Sequence, residues 1–226
     1  MNDTQPQPRR ASRGTPASLH GSVEPTRTKA GRTPAARGDE TRDRIIREAA
    51  RCVLEEGFAN TSANRIAQRC GVTWGVIQYH FGDRASLLSA VVEAGYDEFH
   101  GIVSETAIPE GDVRDRVRTI VDLGWQAFST PLGRASIEIL VNTRASRTND
   151  PDHARHLLDM ARGLHKVLDE AFPTVGGDAS PALRNVVWAT LRGFVLALMM
   201  SPSEFDFERE REVLVDLVAT YVQDQS

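Results

Sequence analysis

Residues 61–81, TSANRIAQRCGVTWGVIQYHF, hold two short amphipathic segments separated only by Cys70, Gly71 and Val72. A connection this short makes two helices meet at a sharp angle, which constrains the fold more than any other part of the chain. The first segment turns Ile66 and Ala67 inward, and the second, opening at Thr73, turns Ile77 and Phe81 toward the same core. Gly71 suits the reversal because positive φ carries no Cβ penalty there, and Thr73 is the expected N-cap of the second helix. The pattern is a helix-turn-helix, whose opposite face is left free to enter a DNA groove.

The flanks extend this unit. Ile45, Ile46, Ala49, Cys52 and Val53 recur at helical spacing over residues 41–56, and Gly57 stops that helix before Phe58 returns to the core. Asp83 is an N-cap for a fourth helix carrying Leu87, Leu88, Val91, Val92, Gly95 and Phe99 toward the rest of the chain. Breaks at residues 108–111, Pro131, residues 149–151, 173–181 and Ser201-Pro202 divide the remainder into helices expected over 112–129, 132–146, 151–172, 181–200 and 205–223. No strand-like alternation competes, so the fold class is all-α: an N-terminal three-helix helix-turn-helix domain and a C-terminal helical domain. The expected boundaries are a basic arm over 1–40, the helix-turn-helix domain over 41–88 and the helical domain over 89–226.

Residues 1–40 carry almost no large apolar side chains and cannot bury enough surface to offset ordering entropy, so the arm is expected to be disordered. Two readings of it stay open: an unstructured leader, or a basic arm placing Arg27, Lys29, Arg32 and Arg37 on phosphates or in the minor groove. The net charge of −4 is unevenly distributed. Residues 1–40 hold seven basic against four acidic side chains, residues 41–82 six against four, and residues 83–226 fourteen against twenty-three. Positive charge therefore collects where phosphate neutralisation requires it.

The longest apolar run, residues 194–200, is well short of the roughly 20 residues of a bilayer helix, so no membrane partner is expected. No apolar segment follows the N-terminal arginines, and a cytoplasmic address is the default. Cys52 and Cys70 read as small buried hydrophobes. His153, His156 and His165 lack a second ligand cluster at fixed spacing, so no metal is expected. No phosphate loop, nucleophile elbow or acid–base pair at motif spacing is present, which argues against an enzyme and against a cofactor.

The segments TRDRIIREAARCVLEEGF and TSANRIAQRCGVTWGVIQYHFGDRASLL together resemble the N-terminal DNA-binding domain of TetR-type (tetracycline-repressor family) transcriptional regulators. The Thr-Arg opening, the Gly-aromatic end of the first helix, the Ile-Ala pair, the Gly-Val turn and the His-Phe ending occur in register over about 50 residues. The resemblance implies that Thr61 and Ser62 contact backbone phosphate at the positive end of a helix dipole. It places Thr73, Trp74, Gly75, Val76, Gln78, Tyr79 and His80 on the recognition helix, and Arg84 on phosphate. Trp74 and Gln78 depart from the family, whose members commonly carry Lys or another polar residue and Tyr there. Gln78 can pair with adenine N6/N7 and Val76 can pack on a thymine methyl. Trp74 either stacks along the backbone or packs locally.

The resemblance also implies a homodimer whose two recognition helices read successive major grooves of a palindromic operator in double-stranded DNA. Residues 181–200 and 211–222 are similar to the two helices of the family's dimer bundle, with Val187, Leu191, Phe194, Val213, Leu214, Leu217 and Val218 as interface candidates. Trp125, Phe128, Leu140, Asn142, Leu164, His165 and Trp188 are candidates to line an apolar cavity for a small-molecule effector. The implied function is a ligand-responsive repressor. The alternatives are an activator of the same family, and a helical enzyme or binding protein with a basic docking module.

Overall fold

The computed structural model describes residues 34–144, 155, 180–201 and 206–225. Among them are eight helices: α1 (Pro34–Glu56), α2 (Ala63–Cys70), α3 (Trp74–Phe81), α4 (Arg84–Ser104), α5 (Val113–Ser129), α6 (Pro131–Asn142), α7 (Ser180–Met200) and α8 (Glu208–Asp224). No strand occurs among the described residues. The helix expected over 151–172, the arm residues 1–33 and the three histidines considered for a metal lie outside them.

Local chemistry sets most of the helix ends. Ser62 Oγ accepts from Arg65 N, Asp83 from Ser86 N, Asp112 from Arg114 N and Thr130 from Gly133 N, each satisfying an amide with no partner inside its helix. Gly71 adopts φ 65° and ψ 32° and donates to the carbonyls of Ala67 and Gln68, closing α2 in the left-handed cap that glycine accepts most readily. Thr73 holds the N-cap position of α3 in extended backbone, but its hydroxyl makes no capping bond, contrary to expectation.

Two boundaries differ from the sequence reading. α1 starts at Pro34, so residues 34–40, assigned to the disordered arm, are helical; proline at a first helical position loses no hydrogen bond and has φ already set. The expected division at 88/89 falls inside α4, and the core beneath the helix-turn-helix does not stop there. Ile45, Val53, Ile66, Ile77, Leu87 and Val91 share it with Ala135 and Ile139 of α6. A second core joins Phe99, Val121, Phe128, Trp188, Leu191, Val215 and Val218 from α4, α5, α7 and α8.

Glycines permit close approaches between helices, two of them far apart in sequence. A Cβ on Gly95 of α4 would lie 2.3 Å from Ser136 Oγ of α6, and one on Gly124 of α5 would lie 2.2 Å from the Trp188 ring. α5 and α8 are also joined by ion pairs: Arg114 Nε to Asp216 at 2.7 Å, Arg211 to Asp122 at 3.1 Å, and Arg118 to Glu212. α7 is longer and more continuously apolar than the run at residues 194–200 alone. Residues 181–200 are long enough and, at a mean hydropathy of 1.3, apolar enough to cross a bilayer; instead Leu183, Val187, Leu191 and Val195 are buried against the second core.

Candidate nucleic-acid interface

α3 divides its side chains sharply. Ile77 is fully buried, while Tyr79 is 86% and Trp74 37% exposed, and Thr73, Gly75 and Gln78 are exposed with them. A helix with one buried anchor presents the rest of its surface outward, so the sequence-assigned reading residues share one accessible face. Val76 and His80 are half-buried, and Val76 packs in part against the core under α3. Trp74 is absent from that core and lies on the outward side. The rings of Tyr79 and His80 meet edge to face at 5.1 Å, which orients the phenol at the tip of the face.

Two expected phosphate contacts are engaged elsewhere. Thr61 is fully buried, and its hydroxyl donates to the Gly57 carbonyl at 2.9 Å. Arg84 donates through Nε to the Thr61 carbonyl at 2.6 Å and through Nη2 to the Phe58 carbonyl at 2.8 Å, with its guanidinium 4.7 Å from the centre of the Phe58 ring. Both residues hold the turn between α1 and α2 against the start of α4. Ser62 remains exposed at the N-terminus of α2, where the helix dipole favours an anion.

The basic side chains of this region are also not all available. Arg69 reaches three carboxylates, Glu48 at 2.6 Å, Glu55 at 2.6 Å and Glu56 at 2.7 Å, while Arg65 meets Glu56 at 2.7 Å. The network ties α2 to α1 and neutralises two of the six arginines counted as phosphate-directed. Arg44 and Arg47 of α1 are exposed, and Arg42 covers the Phe81 ring at 5.3 Å. Glu48, Glu55 and Glu56 recur at helical spacing, a signal that one side of α1 is acidic and has to meet cations.

The Arg65 and Arg69 guanidinium groups hold the Glu56 carboxyl down at about 2. Because that value lies below the ordinary 4.5, the network's contribution is complete above about pH 4.5 and disappears as pH falls toward 2. The urea midpoint of the wild-type chain should exceed that of Glu56→Gln at pH 7, and the difference should close between about pH 4.5 and pH 2. A difference independent of pH would refute the network's role.

A bond from α6 ends in the same turn. Glu138 Oε1 accepts from the Phe58 amide at 3.0 Å across 80 residues of sequence. Phe58 is therefore held through its N–H by α6 and through its carbonyl and ring by Arg84 of α4. Sequence reasoning missed this because neither local period nor motif links the two positions.

Glu138 is flanked by residues of a cavity of about 90 Å³. Phe99, Phe128, Ile137, Leu140 and Trp188 form its apolar wall, with Tyr96, Ser136, Asn185 and Arg192 among its polar lining. Of the expected ligand residues, Phe128, Leu140 and Trp188 line it. Trp125 does not: its ring meets Phe207 at 6.4 Å and lies under Arg211 at 4.8 Å. Asn142 is exposed, and its amide donates to the Glu138 carbonyl at 2.9 Å. Leu164 and His165 lie outside the described residues. The α4 contributors, Gly95, Tyr96 and Phe99, were read only as part of a connecting helix.

The dimer candidates also split. Val187 and Leu191, 1% exposed or less, face the protomer's own core and not the surface between α7 and α8, whereas Leu214 and Val218, 7% and 4% exposed, belong to that core and also line the groove. Val186, Val213, Leu217 and Tyr221 are between 46% and 65% exposed. With half-buried Phe194, which stacks on Phe207 at 4.6 Å, they line an open groove between α7 and α8.

Residues 45–91 match the family model described as bacterial regulatory proteins, tetR family. The transcriptional repressor AcnR of Corynebacterium glutamicum is 31% identical over 138 residues, covering 53% of this chain and 73% of that protein. This chain belongs to the tetR family. The regulator TtgR of Pseudomonas putida is 31% identical over 114 residues, half of each chain, and the chain spans about half the length of the first curated relatives it matches. A tetR-family regulatory protein from Rhodococcus superposes with a TM-score of 0.62 over 81% of this chain and 97% of its own, at 18% identity. That likeness carries the fold alone. The relatives named are regulators of transcription, and in this tetR-family chain the matched residues 45–91 run from α1 through α3 into α4.

Proposed function

We propose that this chain is a DNA-binding transcriptional regulator, a repressor that occupies a palindromic operator as a homodimer in the cytoplasm and leaves it when a small effector binds. The observation that carries this reading is the outward face of α3, where Trp74, Gln78 and Tyr79 stand exposed around buried Ile77. Gln78 supplies the paired donor and acceptor that reads adenine in the major groove. Tyr79, Trp74 and Ser62 supply backbone contacts that set register without reading sequence. A second copy joined through the groove between α7 and α8 supplies the second reader that a specific site needs.

The cavity gives this regulator its switch. Ser136, Ile137 and Leu140 line the cavity on α6, and Glu138 of the same helix holds the Phe58 amide. Movement of α6 or α4 by a ligand pulls on Phe58 and Arg84, and through them on the turn that seats α2 and α3.

Selection of fragmented genomic DNA on the purified chain tests the reading, with an inverted repeat as the expected product. Gln78→Ala should then lose about 1–3 kcal/mol against the selected site, a loss confined to one base position in each half-site. A uniform loss across all single-base variants contradicts base reading by Gln78. A chain that selects no sequence is a docking module and no regulator.

A further inference from the structure

We infer that the cavity bounded by α4, α5, α6 and α7 takes a compact organic anion, a carboxylate on a single ring or similarly small apolar body, with Arg192 as its counter-charge. The inference rests on the reading of this cavity as the effector site. The wall is aromatic: the rings of Phe99, Phe128 and Trp188 meet pairwise at 5.4, 5.4 and 5.7 Å. Their steep mutual angles of 51°, 65° and 76° direct edges toward neighbouring faces and fill much of the surface a cation would need. The volume of about 90 Å³ is below the roughly 150 Å³ that accommodates benzene in an engineered cavity, so one ring is the upper limit and the wall relaxes to admit it.

The polar lining sets the charge. Arg192 is the charged side chain of this lining, and no carboxylate contributes to it among the described residues. Arg192 is exposed at the edge of the cavity it lines, and its Nε donates to the Trp188 carbonyl at 3.2 Å one turn earlier on α7. No carboxylate pairs with it among the described residues, whereas Arg114, Arg118 and Arg211 on the α5–α8 side each have one. Asn185, two turns earlier on the same helix face, adds an amide donor. The Ser136 hydroxyl donates its proton to the Leu132 carbonyl at 2.7 Å and offers a ligand only an acceptor. The Asn185 and Arg192 donors stand on α7 with the Trp188 ring between them, and Phe99, Phe128, Ile137 and Leu140 of α4, α5 and α6 complete the apolar wall, an arrangement that takes a ring inward and a carboxylate toward Arg192.

Calorimetric titration of the full chain with benzoate, neutral benzamide and cationic benzylamine tests this. Benzoate is expected to bind with a Kd near or below ~1 mM, and benzamide about tenfold or more weaker. Benzylamine is expected not to bind. Arg192→Gln should weaken benzoate about tenfold or more, Arg192→Lys should restore part of the loss, and Leu140→Phe, which fills the hollow, should abolish binding. Melting curves confirm that each variant is folded. Benzylamine binding as tightly as benzoate, no benzoate binding to the folded wild-type chain, or benzoate binding untouched by Arg192→Gln overturns the inference. Arg192-dependent benzoate binding that leaves DNA affinity unchanged upholds the anion site and defeats the effector reading.

Discussion

Arg84→Ala is expected to destabilise the chain by about 2–4 kcal/mol and to weaken operator binding with it. The guanidinium makes two short bonds to backbone carbonyls, to Thr61 at 2.6 Å and to Phe58 at 2.8 Å. A hydrogen bond to a charged group contributes about 1.5–3 kcal/mol, and a half-buried position such as this one belongs near the lower end. Arg84→Lys recovers little, since an ammonium lacks the planar fork that reaches both carbonyls together. Urea unfolding checks the size of the loss. A phosphate contact behaves differently: stability stays constant, affinity falls for every sequence, and the salt slope drops by about 1. That result would return Arg84 to the role its family position implies.

Leu217→Glu and Leu214→Ala should separate assembly from folding. Leu217 is 65% exposed in the protomer, and Leu214, three residues earlier on α8, is 7% exposed, packed in the core at the floor of the same groove. Two-fold symmetry enters Leu217→Glu twice, so a carboxylate buried in the apolar groove costs the dimer on the order of 4–6 kcal/mol or more while the protomer stays folded. Leu214→Ala opens a hole in the protomer core and costs about 2–5 kcal/mol of folding stability. Light scattering at micromolar concentration should show Leu217→Glu as a monomer with native helix content and little operator affinity. A Leu217→Glu protein that remains dimeric places the interface elsewhere.

The contrast between those two leucines shows where sequence reading stopped. Both belong to one apolar series on α8, and α7 is apolar on nearly every side, so periodicity identifies two amphipathic helices without saying which apolar side meets the protomer's own core. Val187 and Leu191 entered the interface assignment together with Val213 and Leu217 for that reason, while Leu214 and Val218 serve both the core and the groove. Only the packing of α7 and α8 against α5 separates them. Arg84 and Thr61 illustrate the same limit for polar groups. Their family positions point to phosphate, but what a side chain touches depends on neighbours, and here the carbonyls of the α1–α2 turn accept from both. Arg65 and Arg69 counted as positive charge for DNA until Glu48, Glu55 and Glu56 were placed beside them.

The helix-turn-helix itself was legible because everything that specifies it is local. Ile66 and Ala67 mark the buried side of α2 and Ile77 that of α3, Gly71 tolerates the left-handed turn, and Ser62 and Asp83 cap from within three residues. Those interactions act over one or two turns of chain, so the residue order contains them. The Glu138 carboxylate on the Phe58 amide, the Arg192 guanidinium beside an aromatic cavity, and the outward turn of Val213 and Leu217 join segments tens of residues apart. Their formation depends on how the helices cross, and Gly95 and Gly124 set two of those crossings through atoms they lack. Residue order alone determined the helix-turn-helix, whose contacts are local; tertiary packing decided which of its arginines are engaged by carboxylates, which apolar side chains of α7 and α8 are left exposed, and which side chains line the cavity.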